Sequence, residues 1–162
     1  MCAEVVLNAT LGYGTYRFYL DSAVDALDPN VVLGLFTWSD DAAYHNRELD
    51  MEFSRWGDRF NQNAQYVVQP YDVAGNLFRF TEPASVPQST HTFNWQSSSV
   101  LFESWRGQSA LPGTVIAQHQ FTQGIPQTGN ENIRMNLWLY QGHAPTNGSA
   151  AEVIVKGFEF VP

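Results

Sequence analysis

The chain has 162 residues, a formal net charge of -8 and a pI near 4.7, with 8 Lys and Arg against 16 Asp and Glu. One domain accounts for this length, and the few basic residues argue against nucleic acid or an anionic membrane surface as a partner, since Lys and Arg bind both. No run approaches the roughly 18 apolar residues that a membrane span needs, and the first residues lack the basic start and apolar core of a signal peptide.

Short strands separated by turns are predicted along the whole chain. Apolar residues alternate with polar ones in the predicted strands, and Gly, Pro, Asn and Asp cluster between them. The predicted strands are residues 15–20, 31–38, 48–53, 64–69, 77–81, 90–95, 100–105, 115–122, 133–140 and 152–161. No segment has the periodicity of a long helix. The sequence therefore predicts a single all-β domain over residues 1–162, an antiparallel β-sandwich or jelly roll.

The segment at residues 48–53, Glu-Leu-Asp-Met-Glu-Phe, alternates acidic and apolar residues throughout. Because successive side chains of a strand point to opposite faces, Glu48, Asp50 and Glu52 share one face and the three apolar residues share the other. Like charges on one face repel, and no Lys or Arg stands between them, so the arrangement costs stability. A function is therefore the favoured reason for this acid row.

Clustered carboxyl groups suit glycoside hydrolysis, which needs one carboxylate and one carboxyl that keeps its proton. Repulsion within the cluster would keep a proton on at least one acid near neutral pH. Cα atoms four residues apart on a strand are about 13 Å apart, whereas a retaining pair of carboxyl groups lies about 5–5.5 Å apart. Glu48 and Glu52 would therefore have to lean toward each other over Asp50, as a concave sheet allows. A row of surface acids or an incidental cation site is the alternative from the pattern alone.

The chain resembles glycoside hydrolase family 16, the retaining endo-acting hydrolases and transglycosylases of β-glucans and related polysaccharides, most closely its lichenase-like Glu-x-Asp-x-Glu branch. Besides the acid row, flanking segments in the same order carry the resemblance: Cys2-Ala3-Glu4 leading to Gly12-Tyr13-Gly14-Thr15-Tyr16-Arg17-Phe18, His91-Thr92-Phe93-Asn94-Trp95-Gln96, Met135-Asn136-Leu137-Trp138 and a closing apolar strand. The resemblance implies two curved antiparallel sheets, with a sugar cleft on the concave one. It also implies that the chain begins one or two strands into the usual domain.

The resemblance implies a role for each acid. Glu48 matches the nucleophile, Glu52 matches the acid/base, and Asp50 matches the auxiliary acid that hydrogen-bonds the nucleophile. Substrate-binding positions are implied for Glu4, Trp38, Gln65, Asn136 and Trp138.

Aromatic and histidine residues nearby have a structural interpretation as well. For Trp95 and Trp138, a buried sheet aromatic with its N–H satisfied is as good an interpretation as a sugar platform. His91 is expected to pack or to form hydrogen bonds.

The chain departs from the lichenase pattern around the acids. Asn46 stands where relatives have Trp, Val6 stands where they have Arg, and Val67 and Gln69 replace polar and aromatic positions after Gln65. The acid triad is intact, so the departures leave the glycan open.

No metal or other cofactor is predicted. Ile154 occupies the position at which some relatives carry a calcium-binding Asp, and the four His residues do not have the spacing of metal ligands.

Three functions remain open from the sequence. The first is a retaining endo-β-glycosidase that acts on a β-glucan-like polysaccharide, as a monomer. The second is a non-catalytic, lectin-like carbohydrate-binding domain, and the third is a structural β-sandwich whose acid row binds a cation. The intact acids favour the enzyme, because a pure binding domain gains little from three clustered carboxyl groups. An extracellular or periplasmic location is implied only by the resemblance.

Overall fold

The computed structural model describes residues 2–162 and arranges their strands in two antiparallel sheets. The strands are β1 Ala3–Val6, β2 Gly14–Leu20, β3 Val31–Trp38, β4 Leu49–Phe53, β5 Ala64–Val68, β6 Leu77–Phe80, β7 Ser89–Gln96, β8 Ser99–Arg106, β9 Val115–Phe121, β10 Asn132–Leu139 and β11 Val155–Val161. Short 3-10 helices span Val24–Ala26, Ala42–Tyr44 and Tyr140–Gly142. The prediction of an all-β sandwich is confirmed.

Six strands form the first sheet in the order β1-β10-β3-β4-β5-β6, and five form the second in the order β11-β2-β7-β8-β9. Because β4 lies in the interior of the first sheet, the acid row has a paired strand on each side. No helix within residues 2–162 is long and apolar enough to cross a membrane.

The two ends of the chain differ from the sequence prediction. Ala3–Val6 pairs with β10 as an edge strand, although it was not predicted as one, because its four residues are all exposed and carry no alternating pattern. The last predicted strand, residues 152–161, was wrong at its start. Ile154 donates its N–H to Ser22 Oγ at 2.9 Å, and β11 begins only at Val155.

The core between the sheets is built largely from aromatic rings. Phe93 is fully buried, with its ring 4.6 Å from Tyr16 and 5.6 Å from Phe102 between centroids. Tyr66, from the first sheet, stacks on Phe102 of the second at 5.0 Å and donates its hydroxyl to Ser104 at 2.6 Å. These contacts fix the first sheet on the second and so fix which face of β4 points inward.

Two residues with more than one interpretation belong to the core. Trp95 is fully buried and donates Nε1–H to the carbonyl of Pro126 at 3.1 Å, so it is a structural aromatic. His91 is fully buried between the hydroxyls of Ser89 and Ser104, and burial lowers its pKa to about 3. The expectation that His91 packs and forms hydrogen bonds is confirmed.

The register of the first sheet places two rows of side chains side by side on its outer face. One row is Glu4, Asn136, Gly34, Glu52, Gln65 and Arg79. The neighbouring row is Val6, Arg134, Phe36, Asp50, Val67 and Leu77. The acids of β4 therefore lie in the middle of a continuous polar and aromatic surface.

Replacing Phe93 by Ala should lower the free energy of unfolding by about 3–5 kcal/mol, because the truncation leaves a cavity in the aromatic core. Urea unfolding followed by fluorescence measures the change. The matched control is Phe60→Ala, since Phe60 is 81% exposed and its loss should cost little. Equal losses in the two variants would contradict the assignment of Phe93 to the core.

Candidate active site

A cleft of about 440 Å³ lies on the outer face of the first sheet, with the acids of β4 in its wall. This volume is within the range of small-ligand sites. Four of the five residues expected to bind substrate also line it, namely Glu4, Trp38, Asn136 and Trp138. Trp138 is therefore a cleft residue, unlike Trp95.

The core determines the direction of the acids. The three apolar side chains of Leu49–Phe53 are fully buried, so the alternate side chains face outward. Glu48 precedes the strand, yet its carbonyl accepts the N–H of Gln69 at 3.1 Å, which continues the pairing with the neighbouring chain segment. Thr37 supports the start of β4, because its hydroxyl accepts the Leu49 N–H at 2.9 Å. All three acids consequently share the cleft.

Burial gives the three carboxyl groups unusual pKa values. Burial raises the pKa of Glu48 to about 7, the hydrogen bond with Asp50 opposes this change, and the charge of Glu52 reinforces it. Burial, followed by the charges of Glu48 and Glu52, raises the pKa of Asp50 well above its ordinary value. Desolvation thus contributes more than the repulsion on which the sequence analysis relied.

Each acid has different neighbours. Asp50 is 4% exposed and accepts a hydrogen bond from Gln69 Nε2 at 3.0 Å. Burial also raises the pKa of Glu52, whereas the hydrogen bond from Gln65 and the positive charge of Arg79 oppose the increase. These differences allow a protonated and an ionised carboxyl group to coexist in one cluster near neutral pH.

Gln65 lies beside the cleft instead of lining it. The side chain is 6% exposed, and its amide is occupied by protein groups. Its Nε2 donates to Glu52 Oε2, while its Oε1 accepts from Arg79 Nη2 at 2.6 Å and Arg79 Nε at 3.1 Å. In this structure the amide supports an acid, and a role in direct substrate contact stays a prediction.

The opposite wall of the cleft is held by a group of charged side chains. Arg134 lies 2.7 Å from Asp40 and 3.3 Å from Glu4, and Asp40 also accepts the indole N–H of Trp38 at 3.1 Å. The Arg134 side chain is only 12% exposed, and these two carboxylates compensate its charge. The contacts fix the polar edge of Trp38 and leave its ring in the cleft wall.

Gly34 makes room for a neighbouring amide in the row of Glu52. A Cβ at this position would lie 2.6 Å from Asn136 Oδ1. Asn136 Oδ1 is buried and has no hydrogen-bond partner within residues 2–162. The absence of a side chain at Gly34 therefore lets the Asn136 amide lie against β3, one strand away from the acids.

Several residues around the acids were missed by the sequence analysis or were interpreted differently. In the sequence Gln69 is only a departure from the lichenase pattern, whereas in the structure its amide contacts Asp50. Arg79, Asp40 and Arg134 were not singled out. Alternation along residues 65–69 places Gln65 and Gln69 on one face, so this signal was present, but the register that brings Arg79 beside Gln65 is not visible in the sequence.

Metal binding has little structural support in the part of the chain that the structure describes. No group of three or more His, Cys, Asp or Glu side chains in residues 2–162 has an arrangement suited to a metal ion. The third function considered above, a cation-binding acid row, gains no support from this geometry.

Sequence comparisons identify no relatives. No protein-family model matches the chain, and no curated protein matches it either.

Comparison with solved structures does identify similar folds. A Bacillus licheniformis beta-glucanase is 25% identical, with a TM-score of 0.58 over 94% of this chain and 65% of that one. A prokaryotic beta-1,3-1,4-glucanase (lichenase) derived from a mouse hindgut metagenome is 19% identical, with a TM-score of 0.57 over 86% of this chain and 64% of that one. A non-specific endo-beta-1,3(4)-glucanase from family GH16 is 13% identical, with a TM-score of 0.55 over 86% of this chain and 53% of that one.

The chain thus spans between about half and a little under two thirds of the length of these glucanases. At such identities the similarity concerns the fold above all. The comparisons confirm the jelly-roll architecture and, at the level of fold, the resemblance to glycoside hydrolase family 16.

Proposed function

We propose that this chain is a retaining, endo-acting glycoside hydrolase of a β-glucan-like polysaccharide. The observation that carries the proposal is the cluster of three largely buried acids in the wall of an open cleft. Burying carboxyl groups beside one another costs free energy, and their side chains add nothing to the core on the other face of β4. The glucanases of similar fold support the same interpretation.

Glu48 is the proposed nucleophile. Its carboxylate attacks the anomeric carbon and forms a covalent glycosyl-enzyme, while the bond from that carbon to the leaving oxygen breaks. Glu52 gives its proton to the leaving oxygen. In the second step Glu52 takes a proton from water, whose oxygen displaces Glu48 and returns the enzyme to its first state.

Asp50 is proposed to act through Glu48. Because Asp50 is the most deeply buried acid of the cluster, it retains its proton most strongly and donates a hydrogen bond to Glu48. That bond favours the ionised form of Glu48, which is the form that attacks. In this proposal the nucleophile and the acid are therefore different carboxyl groups of the cluster.

The glycan is proposed to lie against Trp38 and Trp138 and to exchange hydrogen bonds with Asn136 and Glu4. Aromatic rings present apolar faces to sugar rings, and amide and carboxylate groups bind hydroxyls. We further propose that residues 1–162 act as one domain, as a monomer, and outside the cytoplasm, where polysaccharides of this class are met.

We expect the parent to release reducing ends from at least one of a panel of β-1,3, β-1,4 and mixed-linkage glucans, xyloglucan, agar and carrageenan. Glu48→Gln and Glu52→Gln should each lower the rate by roughly 10²–10⁴-fold or more, since each removes one partner of the two-carboxylate reaction. A reducing-end assay measures the rate. Asp72→Asn, which removes an exposed acid outside the cleft, is the matched control and should retain full activity.

A folded parent that binds a glycan but cleaves none would contradict the enzyme and favour the lectin-like alternative. Retained activity in Glu48→Gln would instead contradict the assigned nucleophile.

Glu48→Gln should raise the free energy of unfolding at pH 8 by on the order of 1–3 kcal/mol and change it little at pH 4. The reason is that the pKa of Glu48 rises from 4.5 to about 7 on folding, so its protonated form supports the fold below pH 4.5 and that support is lost as the pH rises through 7. Urea unfolding at both pH values measures the difference. Asp72→Asn again serves as the control, and an equal gain at pH 4 would contradict the explanation.

A further inference from the structure

A chain of contacts within the sheet reaches Glu52 from β5 and β6, the strands on the opposite side of β4 from β3. Arg79 on β6 donates to Gln65 Oε1 through Nη2 at 2.6 Å and through Nε at 3.1 Å. Gln65 on β5 then donates from Nε2 to Glu52 Oε2. The three residues occupy one row of the sheet, so the strand register itself aligns them.

Arg79 determines which way the Gln65 amide points. A guanidinium has only donors, so the amide oxygen must face Arg79 and the amide nitrogen must face Glu52. The reversed amide would set its NH2 group against the guanidinium and its oxygen against a carboxylate. Glu52 therefore receives a hydrogen bond at Oε2, which leaves Oε1 without this partner in a side chain that lines the cleft.

The guanidinium is itself held in place by Trp56. Its Cζ lies 4.2 Å from the centroid of the Trp56 ring, a cation–π contact. Trp56 adopts a φ of +46°, in the left-handed region that bulky residues rarely occupy. Ser54 Oγ accepts the Trp56 N–H at 2.9 Å and stabilises this conformation. Strain of this kind persists where surrounding structure enforces it, typically beside functional groups.

We propose that Arg79 is a positioning residue that acts through Gln65 to hold Oε2 of Glu52 and to stabilise its ionised form. The proposal rests on the acid/base role proposed for Glu52. An acid/base must lose its proton in the first step and regain one from water in the second. By opposing the effect of burial, Arg79 keeps the ionised state of Glu52 accessible for the second step.

The charges around Glu52 are few, which makes the contribution of Arg79 distinct. The same chain segment contributes Asp50 and Glu48, and, besides burial, the charge of Glu52 raises the pKa of each. The facing residues of β3 and β10 in the same row, Gly34 and Asn136, are neutral, and Glu4 lies beyond them on β1. Arg79 is thus the cation of that row, and the charge of Tyr140 acts on Arg79 itself. Arg134, the other cation of the cleft, lies in the neighbouring row and is paired with Asp40 and Glu4.

The test is the pH titration of the Glu52 side-chain ¹³C carboxyl resonance by NMR, assigned through its loss in Glu52→Gln. Arg79→Met removes the charge but keeps an apolar stem over Trp56, and the titration midpoint should rise by roughly half to one pH unit. Gln65→Leu should raise it as well. Both variants break the same chain of hydrogen bonds from Arg79 through Gln65 to Glu52. The double variant should therefore shift the midpoint by little more than the larger single shift.

Arg59→Met is the matched control, since it removes an exposed arginine of the neighbouring loop and should leave the midpoint unchanged. Arg79→Lys keeps the positive charge but loses the planar guanidinium that donates two hydrogen bonds to Gln65. It should raise the titration midpoint of Glu52 less than Arg79→Met does. Thermal unfolding checks that each variant is folded. If Arg79→Met unfolds, the Arg79→Lys and Gln65→Leu titrations decide the outcome.

An unchanged midpoint in the folded Arg79 or Gln65 variants would overturn the proposal. Fully additive shifts in the double variant would do the same, because they would show a direct charge effect without the amide. Where the parent cleaves a glucan, the alkaline limb of kcat/KM should move upward with the NMR midpoint. A parent that cleaves no glucan refutes the proposed function alone, since the titration still decides whether Arg79 acts on Glu52.

Discussion

The burial of the apolar face of β4 is the constraint on which the rest of the structure depends. Leu49, Met51 and Phe53 are fully buried, so the strict alternation of the strand sends Asp50 and Glu52 to the opposite face together with Glu48. A shift of one residue in register would place the acids in the aromatic core, at a cost far greater than any single contact. The hydrophobic core therefore fixes the position of the acid cluster, although it touches none of the carboxyl groups.

The surroundings of the acids differ because the two neighbours of β4 differ. On the β5 side, Gln65 and Gln69 each donate one amide hydrogen bond to one acid, and Arg79 adds a charge behind Gln65. On the β3 side, Gly34 contributes no side chain, and the Asn136 amide lies against it. Donors on one side lower the cost of burying carboxylates, while the other side of β4 borders the cleft. Three chemically similar acids thus acquire different proton affinities from their position in the sheet.

The strand pattern and the acid row could be predicted from the sequence because both are local. Alternation over residues 48–53 is sufficient to place three acids on one face, and turn residues delimit most of the strands. The partners of the acids could not be predicted in the same way. Arg79 lies fourteen residues beyond Gln65, and their contact depends on the register between β5 and β6, which no local pattern specifies. β1 was missed for the same reason, since pairing with β10 rather than its own pattern makes it a strand.

The asymmetry of the sheet also supports the different chemical roles proposed for Glu48 and Glu52. The hydrogen bond with Asp50 opposes the increase that burial causes in the pKa of Glu48, and so favours a charged Glu48. Glu52 lies farther along the strand, next to a neutral amide donor that stabilises its ionised form without supplying a mobile proton. A proton that leaves Glu52 therefore has to be replaced from the cleft, by water or a sugar hydroxyl. An acid/base in a two-step hydrolysis meets the same requirement, which is why the neighbours of Glu52 support the role proposed for it.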